Sequence, residues 1–163
     1  MAGMFPTMVS DPNDPNRRYN APGGHQWPGA LRTAFRLLVV AAVLMLLAGM
    51  MLLAEGFPDG ADEAFREAFM RNMRVAAWSN IVLSLALGGA AAYLERGSKV
   101  ARRWAAVFAA AAIFVNVAAF ALKVTSWVSF VIVLLLAVAL WTMFRPAVNA
   151  YVDGKHSPWE GLE

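Results

Sequence analysis

Few residues in this chain are able to do chemistry, and the most informative are two amides. Asn80 and Asn116 each stand inside a long apolar run, with Ser79, Ser84 and Ser129 at related positions. A primary amide in hydrocarbon loses several kcal/mol unless its donors and acceptor are paired, so each amide must find a partner. The chemistry on offer is hydrogen bonding, either between helices or to a small polar ligand. The carboxylates lie elsewhere. Glu55 and Glu95 stand at the ends of apolar runs, and Glu63 and Glu67 lie in a polar stretch. With no carboxylate inside a run, the usual relay of a proton- or cation-coupled transporter has no residue to build on. His25 and His156 are near the two ends of the chain, so bis-histidine haem ligation within the runs is excluded. Cysteine is absent, which rules out disulfides and thiolate metal sites. No phosphate-binding glycine loop, zinc motif or nucleophile elbow is present. No catalytic residue, metal ligand or cofactor is assigned, and the expectation is a non-enzymatic protein.

The elements that must position the amides follow from composition. Sixty per cent of the residues are hydrophobic and 15% charged, against soluble norms of roughly 45–50% and about 25%. The apolar residues are bunched into four runs, 37–54, 75–94, 104–122 and 127–144. The first would be about 27 Å long as a helix, close to the ~30 Å hydrocarbon core of a bilayer. The fold expected is therefore an all-α integral membrane protein, a four-transmembrane-helix bundle. It occupies residues 32–145, between an N-terminal tail (1–31) and a C-terminal tail (146–163). Pro6, Pro12, Pro15, Pro22 and Pro28 block helix in the first tail, which reads as disordered. The second tail is polar and reads as loosely ordered. The basic region before the first run is longer than a secretory leader's, and Leu52 is poorly suited to a cleavage site, so that run is read as a span.

Residues 61–74 form an amphipathic extension of the second helix, continuous with it because no breaker intervenes. Phe57-Pro58-Asp59-Gly60 is a turn signal ahead of it, and Asp59 or Asp62 is placed to cap it. Ala61, Phe65, Phe69 and Met73 make an apolar stripe, and Glu67 and Arg71 are i, i+4 partners. Two small-residue stripes mark packing faces. Ala76, Asn80, Ser84, Gly88 and Ala92 recur every four residues; Ala105, Ala109, Ala112, Asn116, Ala119 and Lys123 alternate spacings of four and three. Gly97-Ser98 supplies the turn between the second and third runs.

Charge sets an orientation. The N-terminal segment (Arg17, Arg18, Arg32, Arg36), the second loop (Arg96, Lys99, Arg102, Arg103) and the C-terminal tail (Arg145, Lys155) hold most of the 14 basic residues, whereas the first loop and the last hairpin hold Arg66, Arg71, Arg74 and Lys123. By the positive-inside tendency both termini are cytoplasmic and the extension faces outward. Trp27, Tyr93, Trp104 and Trp141 then fall at the inner interface, and Trp78 and Trp127 at the outer one. Asn80 and Asn116 come to lie at nearly one level, roughly 8–10 Å below the outer surface, and are expected to bond to each other. Asn80, Ser84, Gly88, Asn116 and Ser129 are the candidate packing or pocket residues. Arg71, Arg74 and Lys123 are candidate contacts for an outer anion or lipid headgroup. Basic residues scattered as membrane flanks do not make a nucleic-acid surface.

The expectation is a polytopic protein of a bacterial inner (plasma) membrane, in contact with lipids. It would be an accessory or scaffold subunit meeting other membrane proteins through its small-residue faces. The alternative is a small transporter, channel or lipid-handling protein that uses a polar pocket in the outer half of the bundle.

Overall fold

The computed structural model describes residues 27–154, apart from 58, 60, 61 and 126. Within them lie five helices: α1 (Gly29–Ala54), α2 (Arg66–Ala92), α3 (Lys99–Ala121), α4 (Trp127–Met143) and α5 (Pro146–Gly154). The first four form a bundle in which α1 packs on α2 and α4, and α3 packs on the same two. α1, α2 and α3 are long and apolar enough to cross a membrane; α4, with 17 residues, reaches that length only together with α5, into which it bends by 62°. The protein is thus a polytopic, all-helical membrane bundle. Its outward side chains agree: Val40, Leu47, Val82, Leu85, Phe114, Val131 and Leu134 are all exposed, as lipid-facing residues must be.

The inward faces show why spacing matters. α3 buries Ala101, Ala105, Ala109, Ala112, Asn116 and Ala119. Alternating steps of four and three average 3.5 residues, which keeps a seam on one face of a helix. The strict four-residue stripe on α2 cannot stay there, because each step overshoots a full turn by about 40°. Ala76, Asn80 and Ser84 are buried, but Gly88 has turned partly outward and Ala92 fully; Leu87 and Ala91 take over the core. A Cβ added at Gly88 would meet nothing within 4 Å, so this glycine does not mark a close approach. Against the alanine face of α3, α1 and α4 bring the bulk, with Leu38, Met45, Ile132 and Leu136 fully buried.

Helix ends follow the local chemistry. Asp62 caps a 3₁₀ turn at Glu63–Phe65, accepting the Ala64 N–H at 2.9 Å, and the turn leads into α2. The ion pair there is Arg66–Glu63 at 3.2 Å, not the expected Glu67–Arg71. Phe69 packs edge-on against Phe57, and Met73 is buried, but Phe65 of the same stripe stays exposed. Gly97, at φ 67°, ends the second reversal, and Ser98 caps α3 through the Ala101 N–H. α1 begins at Gly29, taking in residues 29–31 that the sequence assigns to the tail; residues 1–26 lie outside the described region.

The end of α3 is unexpected. Lys123 has φ 55°, the Val124 N–H donates to Ala119 O at 3.0 Å, and the Lys123 N–H donates to Phe120 O at 3.0 Å. These are the two bonds of a Schellman cap, with Val124 and Ala119 making its apolar contact. The left-handed position normally favours glycine. Lys123→Gly should therefore stabilise the protein by about 1 kcal/mol, whereas Lys123→Val should destabilise it by at least as much. Denaturant titration in detergent would read both. Equal stability of the two variants would mean that the backbone at 123 is not left-handed.

The C-terminal segment departs from the loosely ordered tail. Pro146 starts α5, where a missing N–H is harmless. Val148, Tyr151 and Val152 are buried in the same cluster as Leu31 and Leu94. Arg102 fixes the docking, donating to Asn149 Oδ1 at 2.6 Å while stacking over Phe144. Residues 155–163 lie outside the described region.

Candidate functional site: a buried amide layer

Two apolar clusters fill the bundle. The larger includes Met45, Leu87, Ala112 and Ile132, and the smaller is Leu52, Met73, Ala76, Ala77, Ala119 and Val124. Each of the first four helices also buries a small or polar residue: Gly49 from α1, Asn80 and Ser84 from α2, Asn116 from α3 and Ser129 from α4. Of the candidate residues, Asn80, Ser84, Asn116 and Ser129 are buried, and Asn80 and Asn116 meet; Gly88 is only half-buried.

The expected interhelical bond is present. Asn116 Nδ2 donates to Asn80 Oδ1 at 2.9 Å, and both residues are 0% exposed. Each amide also holds its own helix, Asn116 Nδ2 donating to Ala112 O at 2.9 Å and Asn80 Nδ2 to Ala76 O at 3.1 Å. Asn116 Oδ1 is buried with no hydrogen-bond partner among the described residues. The serines do not join this network. Ser84 Oγ donates to Ile81 O at 2.7 Å, and Ser129 Oγ donates to Thr125 Oγ1 at 2.8 Å. Their hydroxyls satisfy local groups, as hydroxyls in apolar helices commonly do.

Gly49 is the member that sequence reasoning missed. A Cβ there would lie 2.8 Å from Ala77 O, 2.8 Å from an Ile81 side-chain carbon and 3.4 Å from Asn80 Cβ. α1 therefore rests on the backbone of α2 just where the amide layer begins. The available signal was a lone glycine within an 18-residue apolar run, four residues after Met45 and eight after Ala41.

The candidate anion contacts lie apart from this layer. Arg71 and Arg74 are exposed and line an open cleft on the α2 extension with Glu63, Arg66 and Glu67. The smaller apolar cluster stands between that extension and the amides. Lys123 is exposed at its helix cap. Ser79 lines a separate shallow groove of about 180 Å³ between α2 and α3, beside Phe114 and Leu122. The amide layer can therefore hold helices together by directional bonds, and its apolar neighbours shield it on both sides. Among the described residues, no group of three or more His, Asp or Glu is placed to hold a metal ion. No family model matches the chain, and neither does any curated protein or solved structure.

Proposed function

We propose that this protein is a non-enzymatic accessory or scaffold subunit of a larger assembly in a bacterial inner membrane, with both termini cytoplasmic. The observation that carries this reading is the extension of α2. The helix runs on past the apolar bundle, Phe65 is 67% exposed, and Glu67, Arg71 and Arg74 stand exposed beside it. An exposed aromatic residue flanked by charges, in the 3₁₀ turn that leads into a helix beyond the bundle, is the composition of a protein contact. The seam on α3 is consumed by the bundle's own core, so partner contacts fall to this extension. A solute path through the amides is disfavoured by the apolar cluster that caps them.

The test is a photocrosslinking amino acid at position 65, with copurification in mild detergent. One membrane partner should crosslink in stoichiometric yield, and Phe65→Ser should abolish its copurification. A chain that runs alone on native sizing and crosslinks only to lipid would overturn the reading. The absence of cysteine makes the orientation directly measurable. Ala68→Cys should react with an impermeant maleimide in spheroplasts, and Arg103→Cys only after the membrane is opened. The reverse pattern would invert the topology.

A further inference from the structure

The α2–α3 face carries a second feature, at the end of the bundle opposite the extension. Ala86, Gly89 and Ala90 form the floor of an apolar groove of about 380 Å³, walled by Tyr93, Trp104 and Phe108. The floor is open because of what is missing: a Cβ at Gly89 would meet nothing within 4 Å. The walls are aromatic, with Trp104 stacked on Phe108 at 5.5 Å between ring centroids. At one end the groove reaches the turn at residues 97–98, where Ser98 lines it, and beside it Arg96 stacks over Tyr93 at 5.0 Å. Residues 95–103, which take in the start of α3, carry Arg96, Lys99, Arg102 and Arg103 against the single carboxylate of Glu95. Arg102 is committed to Asn149 and Phe144, whereas Arg96 and Arg103 are exposed.

We infer that this groove is a binding site for an anionic phospholipid. One acyl chain would lie along Gly89 between the aromatic walls, and the phosphate would sit at the Arg96 end. An apolar slot running from the hydrocarbon level to a cationic rim matches a lipid in both polarity and order. A free anion would have no use for the slot, and a purely apolar helix would leave the rim charges unanswered. The aromatic walls stand where such rings settle, at the boundary between acyl chains and headgroups. The site does not depend on the accessory-subunit reading, which rests on the other end of the molecule.

Native mass spectrometry of the full chain, released from detergent with defined lipids, tests this. The wild-type protein should retain one phosphatidylglycerol in preference to phosphatidylcholine. Arg96→Gln should lower that preference about fivefold, the equivalent of roughly 1 kcal/mol for one interfacial cation. Gly89→Leu, which fills the slot, should abolish retention of both lipids while far-UV circular dichroism and sizing stay unchanged. Equal retention of the two lipids by the wild type, or unchanged phosphatidylglycerol retention by a folded Gly89→Leu, would overturn the assignment. So would efficient crosslinking of Gly89→Cys to a second copy, which would make the groove a helix contact.

Discussion

Gly49→Ala is expected to destabilise the bundle by about 1–3 kcal/mol, although alanine is the better helix former by about 1 kcal/mol. The new methyl group would lie 2.8 Å from Ala77 O. A backbone carbonyl in the middle of a helix cannot swing aside as a side chain can, so α1 must move away from α2 along the whole contact. That movement also loosens Asn80, whose Cβ is 3.4 Å from the same point. Gly49→Leu should prevent the helices from docking at all. Gly88→Ala and Gly89→Ala are the controls. Neither new methyl group meets a neighbour within 4 Å, so each should gain about 0.5–1 kcal/mol from the helix preference alone. The measurement is denaturant titration in detergent, followed by tryptophan fluorescence. If Gly49→Ala behaves like the other two, α1 and α2 do not approach at that point.

The amide pair should give an asymmetric double-mutant cycle. Asn80→Leu removes the acceptor for Asn116 Nδ2 and leaves the unpartnered Asn116 Oδ1 in place, so it should cost about 1–3 kcal/mol. Asn116→Leu strands Asn80 Oδ1 but takes the unpartnered oxygen away, so its cost should be about half as large. Asn80→Leu with Asn116→Leu leaves no orphaned polar atom and replaces the pair with apolar side chains of similar size. The double variant should therefore be more stable than Asn80→Leu alone. The coupling should fall between about 0.6 and 1.7 kcal/mol, the mean and the maximum for interhelical hydrogen bonds in a membrane bundle. A double variant that loses the sum of the two single losses would show that the amides do not act as a pair.

What the sequence made legible was depth and period. Polar residues embedded in apolar runs are rare enough that Asn80 and Asn116 could be placed at one level from their distances to the run ends alone. The α3 seam was legible because its four-three alternation survives winding onto a helix. The α2 stripe misled at Gly88 and Ala92 because an unbroken spacing of four drifts off the face. Gly49 was hidden because a glycine's role depends on what faces it, and that is a property of two helices at once. Lys123 was hidden for a related reason. Its left-handed backbone is held by bonds back to Ala119 and Phe120 and by the burial of Val124, none of which demands a particular side chain at 123. α5 was read as tail because nine residues are too few to announce a span, and the neighbours that bury it, with the Arg102 bond to Asn149, are distant in sequence.

The brevity of α4 has a consequence for the lipid around it. Its two exposed tryptophans, Trp127 and Trp141, are fourteen residues apart, which is about 21 Å along the axis. Both seek the boundary between headgroups and acyl chains, and Trp141 is held further by Arg145, 4.3 Å above its ring. An undisturbed hydrocarbon core is ~30 Å thick, so a bilayer that met both tryptophans at its two boundaries would be thinner beside α4 than beside the 26-residue α1. Each ångström of such mismatch costs a fraction of a kcal/mol, and two dimpled surfaces lower the total by sharing one dimple. The elasticity of such a membrane would itself draw the α4 side of this bundle toward any neighbour that is equally short.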